Sequence, residues 1–129
     1  MIALDTHALL WWALDPDQLS QTAKRTLSEM ETSGGVVSSI SIWELGVKVK
    51  RGHLDIGMSI DEFARRIEHS GTVTVIPVDT TVWLRSLALP WEHRDPADRV
   101  IVATALLHSV PLLTKDHAIH AFDGVRCVW

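Results

Sequence analysis

A chain of 129 residues with 47% apolar and 22% charged residues is long enough to bury a core and too apolar to be disordered. No apolar run reaches the roughly 18–20 residues that span a bilayer, no basic stretch leads into an apolar secretory leader, and a lone cysteine, Cys127, excludes an internal disulfide framework. Twelve basic against sixteen acidic residues give a net charge of −4, a sign that does not by itself favour nucleic acid, and the composition as a whole suits a cytoplasmic protein.

The pattern reads as one domain over 1–129. Residues 1–4 form a short apolar strand, and residues 7–14 a strongly apolar helix that Asp15-Pro16-Asp17 ends. Ser20 caps a second, mostly polar helix to about residue 32. Ser33-Gly34-Gly35 breaks the chain before a strand at 36–39. A third helix covers about 40–50 and stops at Gly52. Ser59 and Glu62 make a capping box for a helix that ends near Gly71. A strand at 72–78, a helix at 80–89 and a loop at 90–94 follow. Asp95-Pro96 opens the most apolar helix, which ends near Ser109. A strand at 111–114, a short helix at 116–122 and a strand at 125–129 close the chain. Strands alternating with helices predict an α/β domain with a mostly parallel sheet, whose ligands bind beyond the carboxyl ends of the strands.

Four carboxylates sit in apolar surroundings. Asp5 follows Ile2-Ala3-Leu4, Glu44 interrupts Ile40-Ser41-Ile42-Trp43, Asp98 opens Val100-Ile101-Val102-Ala103, and Asp116 follows Leu112-Leu113-Thr114-Lys115. Acids are almost never fully buried without a partner. Removing these four leaves twelve acids against twelve bases, so the acidic excess equals the cluster. Each also has a local reading. Asp5 and Asp116 can cap the helices that follow them. Asp95 is a natural N-cap with Pro96 at the first helical position, which places Asp98 favourably in the first turn. Glu44 resists that treatment, and its alternative partner is an arginine. Clustered carboxylates without cysteine select hard cations, Mg²⁺ or Mn²⁺, and disfavour zinc. An open site of that kind suits phosphodiester hydrolysis.

Four segments in chain order resemble the motifs of PIN-domain proteins, in particular VapC-type toxins of bacterial toxin–antitoxin pairs. They are Ile2-Ala3-Leu4-Asp5-Thr6-His7, Ser38 to Leu45 around Glu44, His93-Arg94-Asp95-Pro96-Ala97-Asp98-Arg99 with the apolar run after it, and Leu112-Leu113-Thr114-Lys115-Asp116. The resemblance implies a PIN-like α/β/α sandwich with a mostly parallel central sheet. It implies an Mg²⁺- or Mn²⁺-dependent endoribonuclease toxin, an RNA substrate, a cognate VapB-type antitoxin and a homodimer. By position, Asp5, Glu44, Asp98 and Asp116 take the family's acidic places, with Asp5 and Asp98 as direct ligands and Glu44 and Asp116 acting through water. Asp95 is a supporting acid or only a cap. Thr6 and Thr114 can hydrogen-bond the carboxylates or serve as ordinary helix-cap and strand-end hydroxyls.

Arg94, Arg99 and Lys115 adjoin the acids in sequence and are the candidates for holding substrate phosphates. Lys48, Lys50, Arg51 and His53 suit a helix C-terminus, and Arg65 and Arg66 a solvated face. His7 and His93 can assist proton transfer. His117 and His120 lack the context of a zinc pair. Among six tryptophans, Trp11, Trp43 and Trp83 fit core faces, while Trp12, Trp91 and Trp129 can be partly exposed.

Two other readings stand beside the enzyme. One is a catalytically silent PIN-like interaction module, which a missing acid would have signalled. The other is an Asp-phosphorylated receiver-type signalling domain. It needs a second acid beside Asp5, where this chain has Thr6 and His7.

Overall fold

In the computed structural model, which describes residues 1–129, five strands join one all-parallel sheet. They are β1 (Ile2–Leu4), β2 (Gly35–Ser38), β3 (Val73–Ile76), β4 (Leu112–Leu113) and β5 (Cys127–Val128), in the spatial order β3-β2-β1-β4-β5. Seven helices connect them: α1 (Thr6–Leu14), α2 (Gln21–Ser33), α3 (Ser39–Lys50), α4 (Ile60–Glu68), α5 (Thr80–Ala88), α6 (Pro96–Leu107) and α7 (His117–His120). The α/β class and the parallel sheet expected from the sequence are both present.

Helix starts follow local chemistry. Ser20, Ser59, Asp79, Asp95 and Asp116 each accept a backbone N–H from the turn they open. At α4 only half of the expected capping box forms. Ser59 accepts the Glu62 N–H, while the Glu62 carboxylate pairs with Arg65 and Arg66 on the exposed face. Asp79, the one acid that follows a strand on the far side of the sheet, is the cap of α5 and nothing more elaborate.

Alternation along the strands builds two apolar layers. Ile2, Leu4, Val37 and Leu113 face one layer with Leu9, Leu27, Met30, Leu45, Phe63 and Ile67. Ala3, Val36 and Leu112 face the other with Ile101, Val102, Ala105, Ile119 and Phe122. A sheet covered on both faces explains why its strands read as continuous apolar runs. Each fully buried Leu contributes roughly 1.5–3 kcal/mol relative to exposure. Gly35 is required by close approach, since a Cβ there would lie 2.4 Å from Met30 Sδ.

The order β3-β2-β1-β4-β5 means that the chain runs outward from β1 on both sides. The crevice between the carboxyl ends of β1 and β4 is therefore the topological switch point, the usual ligand site of such sheets. Asp5 and Thr114 are the residues that follow those two strands.

Candidate active site

Asp5 leaves β1 and caps α1, accepting the Ala8 N–H at 2.8 Å through Oδ1. Its Oδ2 accepts the Thr114 hydroxyl at 2.5 Å from the neighbouring strand end. The Thr114 hydroxyl also accepts the Asp116 N–H at 3.0 Å, so one oxygen positions two of the acids. Asp116 in turn caps α7, accepting from Ala118 and Ile119. On the other side of β1, Thr6 donates to Glu44 Oε1 at 2.5 Å, with Ser41 Oγ at 2.9 Å from the same hydroxyl. Glu44 is half-buried on α3 and has no arginine partner. Asp98, in the first turn of α6, receives His93 Nε2 at 2.7 Å on Oδ2. Asp95 accepts the N–H groups of Ala97 and Asp98 through one oxygen, a complete N-cap. The four acids thus come from four elements: Asp5 and Asp116 are linked through Thr114, Glu44 is linked to Thr6, and Asp98 to His93.

The PIN domain signature matches residues 2–125. This chain belongs to the PIN-domain family. It is 30% identical over 129 residues to Ribonuclease VapC22 of Mycobacterium tuberculosis, covering 98% of this chain and 95% of that protein. Among solved structures, a toxin–antitoxin complex from Klebsiella pneumoniae is similar, with a TM-score of 0.65 at 25% identity, covering 97% of this chain and 95% of that one. Mycobacterium tuberculosis VapC20, described as a sarcin–ricin loop cleaving toxin, superposes with a TM-score of 0.66 at 18% identity, covering 98% and 99%. At that identity the likeness speaks to the fold alone.

In this PIN domain the acids act on one another. Burial raises the Asp5 carboxyl above its ordinary value, and the charge of Asp116 adds to the rise, against lowering by the Thr114 and Ala8 hydrogen bonds. Burial likewise pushes Asp98 up to about 6, with Asp95 and Asp116 adding and His93 opposing. Asp116 is therefore the electrostatic link between Asp5 and Asp98. No lysine or arginine forms an ion pair with any of the four. Two partly or fully buried carboxylates, Asp5 and Asp98, with Glu44 and Asp116 tied to the same strand ends and no lysine or arginine paired with any of them, are a donor set whose chemistry fits a divalent hard cation. As the side chains stand, each is turned onto its own hydrogen-bond donor, and no three acidic, His or Cys groups converge on one point.

The neighbouring cations divide. Lys115 lies over the Trp11 ring and lines an open depression of about 440 Å³ with Asp5, His7, Trp11, Asp116 and His117. Arg94 is exposed beside Asp95. Arg99 does not meet the expectation of a phosphate ligand. Its donors go to the carbonyls of Ser86, Leu89, Trp91 and His93, which leaves the guanidinium no free edge. His120 is turned away onto the Thr114 carbonyl at 2.6 Å, apart from His117.

Two tryptophans assigned to core faces are exposed: Trp43 by 66% and Trp83 by 44%. Helix α3 is apolar on two sides. Leu45, with Ile42 and Val49, takes the core layer, which turns Trp43 outward. With Ile40, Val78, Trp83 and Pro96 it lines a groove of about 650 Å³ that borders Glu44 and Asp95. The pairing of His93 with Asp98 is not visible in sequence, because it depends on how the loop before α6 folds back.

Proposed function

We propose that this PIN domain is an Mg²⁺- or Mn²⁺-dependent endoribonuclease, the toxin of a toxin–antitoxin pair. The observation that supports the reading is that Asp5 and Asp116 share the Thr114 hydroxyl at the switch point, with Glu44 tied to Thr6 next to Asp5, while no lysine or arginine pairs with these acids or with Asp98. The similarity to a protein named Ribonuclease VapC22 supports RNA as the substrate class.

In this reading Asp5 and Asp98 hold the cation directly, and Glu44 and Asp116 complete its surroundings through water. When bound, such an ion supplies the positive charge that phosphodiester hydrolysis needs at its attacking and leaving oxygens. The protein's own contribution is positional. Thr114 fixes the free rotation of Asp5, and Thr6 does the same for Glu44. His93 Nε2, within hydrogen-bond distance of Asp98 Oδ2, is placed to exchange a proton at the edge of the site. Lys115, with the His7 and His117 rings around the same depression, offers one cation and ring nitrogens to a phosphate next to the scissile one. Asp95 serves as the cap that sets the start of α6.

The solved relatives that are toxin–antitoxin complexes support a VapB-type antitoxin as partner. The exposed apolar residues Trp43, Trp83, Leu84 and Leu87 support a homodimer. No helix is long and apolar enough to cross a membrane.

The test is cleavage of total cellular RNA by the purified chain with Mg²⁺ or Mn²⁺, with chelator, and with Asp5→Asn and Asp98→Asn prepared identically. Metal-dependent cleavage lost in both variants is the expected result. Equal cleavage by the variants would reveal a contaminant. Metal binding without cleavage of any RNA would favour the interaction-module reading.

A further inference from the structure

Arg99 sits one residue after a candidate ligand, yet on a helix that neighbour points about 100° away. Its guanidinium crosses to the C-terminal end of α5 and the loop beyond. There Nε and one terminal nitrogen reach the Ser86 carbonyl, at 3.1 and 2.7 Å, and that terminal nitrogen also reaches Leu89 O at 3.1 Å. The other terminal nitrogen donates to Trp91 O and, at 3.0 Å, to His93 O. Ser86 and Leu89 lie where α5 leaves carbonyls without helical partners, so Arg99 is at once a cap for α5 and a tether for the loop. The tether ends on the backbone of His93, whose ring is the one that holds Asp98. A second restraint acts on that ring: His93 stacks on Trp91 at 4.6 Å, and Trp91 stacks on Phe122 at 4.9 Å.

We infer that Arg99 is a positioning residue: through the 89–93 loop it sets His93 against Asp98 and so fixes the orientation of that carboxylate in the candidate metal site. His93 engages Oδ2 only, which leaves Oδ1 without a protein hydrogen bond and available to a cation. The metal part of this inference rests on the proposed function. The loop part does not. Replacing the planar fork by a single ammonium cannot reproduce donors spread over four carbonyls, so lysine is not a conservative substitute here.

The test has a metal-free and a metal-bound arm, on the full chain. In the metal-free arm, ¹⁵N NMR of the His93 imidazole reports its hydrogen bond at fixed pH, with the amide spectrum as the check on folding. Arg99→Lys keeps the charge. Trp91→Leu keeps the carbonyls that Arg99 binds but removes the ring that His93 stacks on and that the guanidinium faces at 6.0 Å. Both should shift the His93 Nε2 signal to that of a solvent-averaged imidazole while resonances of β1, β2 and α4 stay in place. An unchanged His93 signal in folded Arg99→Lys would overturn the inference. In the second arm, Mn²⁺ affinity should fall about 10-fold in Arg99→Lys, the lower end of what outer residues around a metal cost. It should fall no further when His93→Ala is added, because both changes cut the same chain of contacts. Additive losses would mean that Arg99 acts by another route. If the wild type binds no Mn²⁺ but the His93 signal moves as expected, the loop tether stands and the metal reading fails.

Discussion

Thr114 donates its hydroxyl to Asp5 Oδ2 at 2.5 Å across 109 positions of sequence, and the same oxygen receives the Asp116 N–H. Two parallel strands, neighbours because the strand order reverses at β1, are thus joined by one side chain at the point where a ligand would sit. The bond offsets part of the cost of burying Asp5, and it selects one rotamer of the carboxylate.

Thr114→Val keeps the shape and removes both roles of the hydroxyl. It leaves Asp5 Oδ2 and the Asp116 N–H without a protein partner, which costs on the order of 1–3 kcal/mol. Mn²⁺ affinity should drop by about 10-fold or more. Thr114→Ser should restore most of both. Urea melts and Mn²⁺ titration of the two variants check this; equal behaviour of Val and Ser would show that the hydroxyl does nothing.

Asp98 gives a stability prediction with a definite sign. Its folded value is about 6 against an ordinary 3.8. The folded chain therefore holds this proton more tightly than the unfolded chain does. The resulting stability is full below about pH 4 and is lost as pH rises through 6. At neutral pH the ionised, desolvated carboxylate is a net cost on the order of 2–3 kcal/mol. Asp98→Asn keeps an acceptor for His93 and removes the charge. It should raise the Tm of the metal-free protein by several degrees at pH 7.5 and by little at pH 4.5, while abolishing metal-dependent cleavage. A Tm gain of equal size at both pH values would contradict the assignment.

The same groups set how cation binding depends on pH. A metal must displace protons from Asp98 and Asp5, both of which burial holds above the ordinary carboxylate range. Mn²⁺ affinity should therefore climb steeply from pH 5 to about 7 and flatten above it. Asp95 and Asp116 both push Asp98 upward, so Asp95→Asn should move the midpoint to lower pH. It should leave stability nearly unchanged, because an asparagine oxygen still accepts from Ala97 and Asp98. Asp95→Ala should cost about 1 kcal/mol through loss of the cap. Isothermal titration across that pH range, with thermal melts of both variants, separates a capping residue from a ligand. A ligand would lose affinity in Asp95→Asn at every pH.

What could be read in advance follows from the range of each interaction. Ser20, Ser59, Asp95 and Asp116 cap their own helices within three residues, and the apolar runs of β1, β2 and β4 belong to a sheet covered on both faces. Those are local signals. Thr6 and Thr114 are legible as hydroxyls that can bond the carboxylates, but which acid each one meets depends on strand order, which no window of sequence contains. Arg99 misled because adjacency along a helix is not adjacency in space. Trp43 misled because helix α3 carries two apolar faces, and periodicity does not say which of them the core takes.

That second face leads to the last prediction. Trp43 from α3 and Trp83 from α5 are exposed and line a groove that borders Glu44 and Asp95, and Leu84 and Leu87 of α5 are exposed as well, Leu87 by 76%. Large apolar side chains left exposed beside one another often mark an interface. If this face joins two copies, light scattering should give about twice the 14.4 kDa chain mass. Trp83→Glu and Leu87→Glu should each halve it with little loss of monomer stability, since neither side chain belongs to an apolar layer. Because Glu44 lies at the edge of the same groove, the monomeric variants should also cleave RNA more slowly at equal chain concentration. A wild type that stays monomeric at tens of micromolar would exclude the dimer and leave this face to the antitoxin.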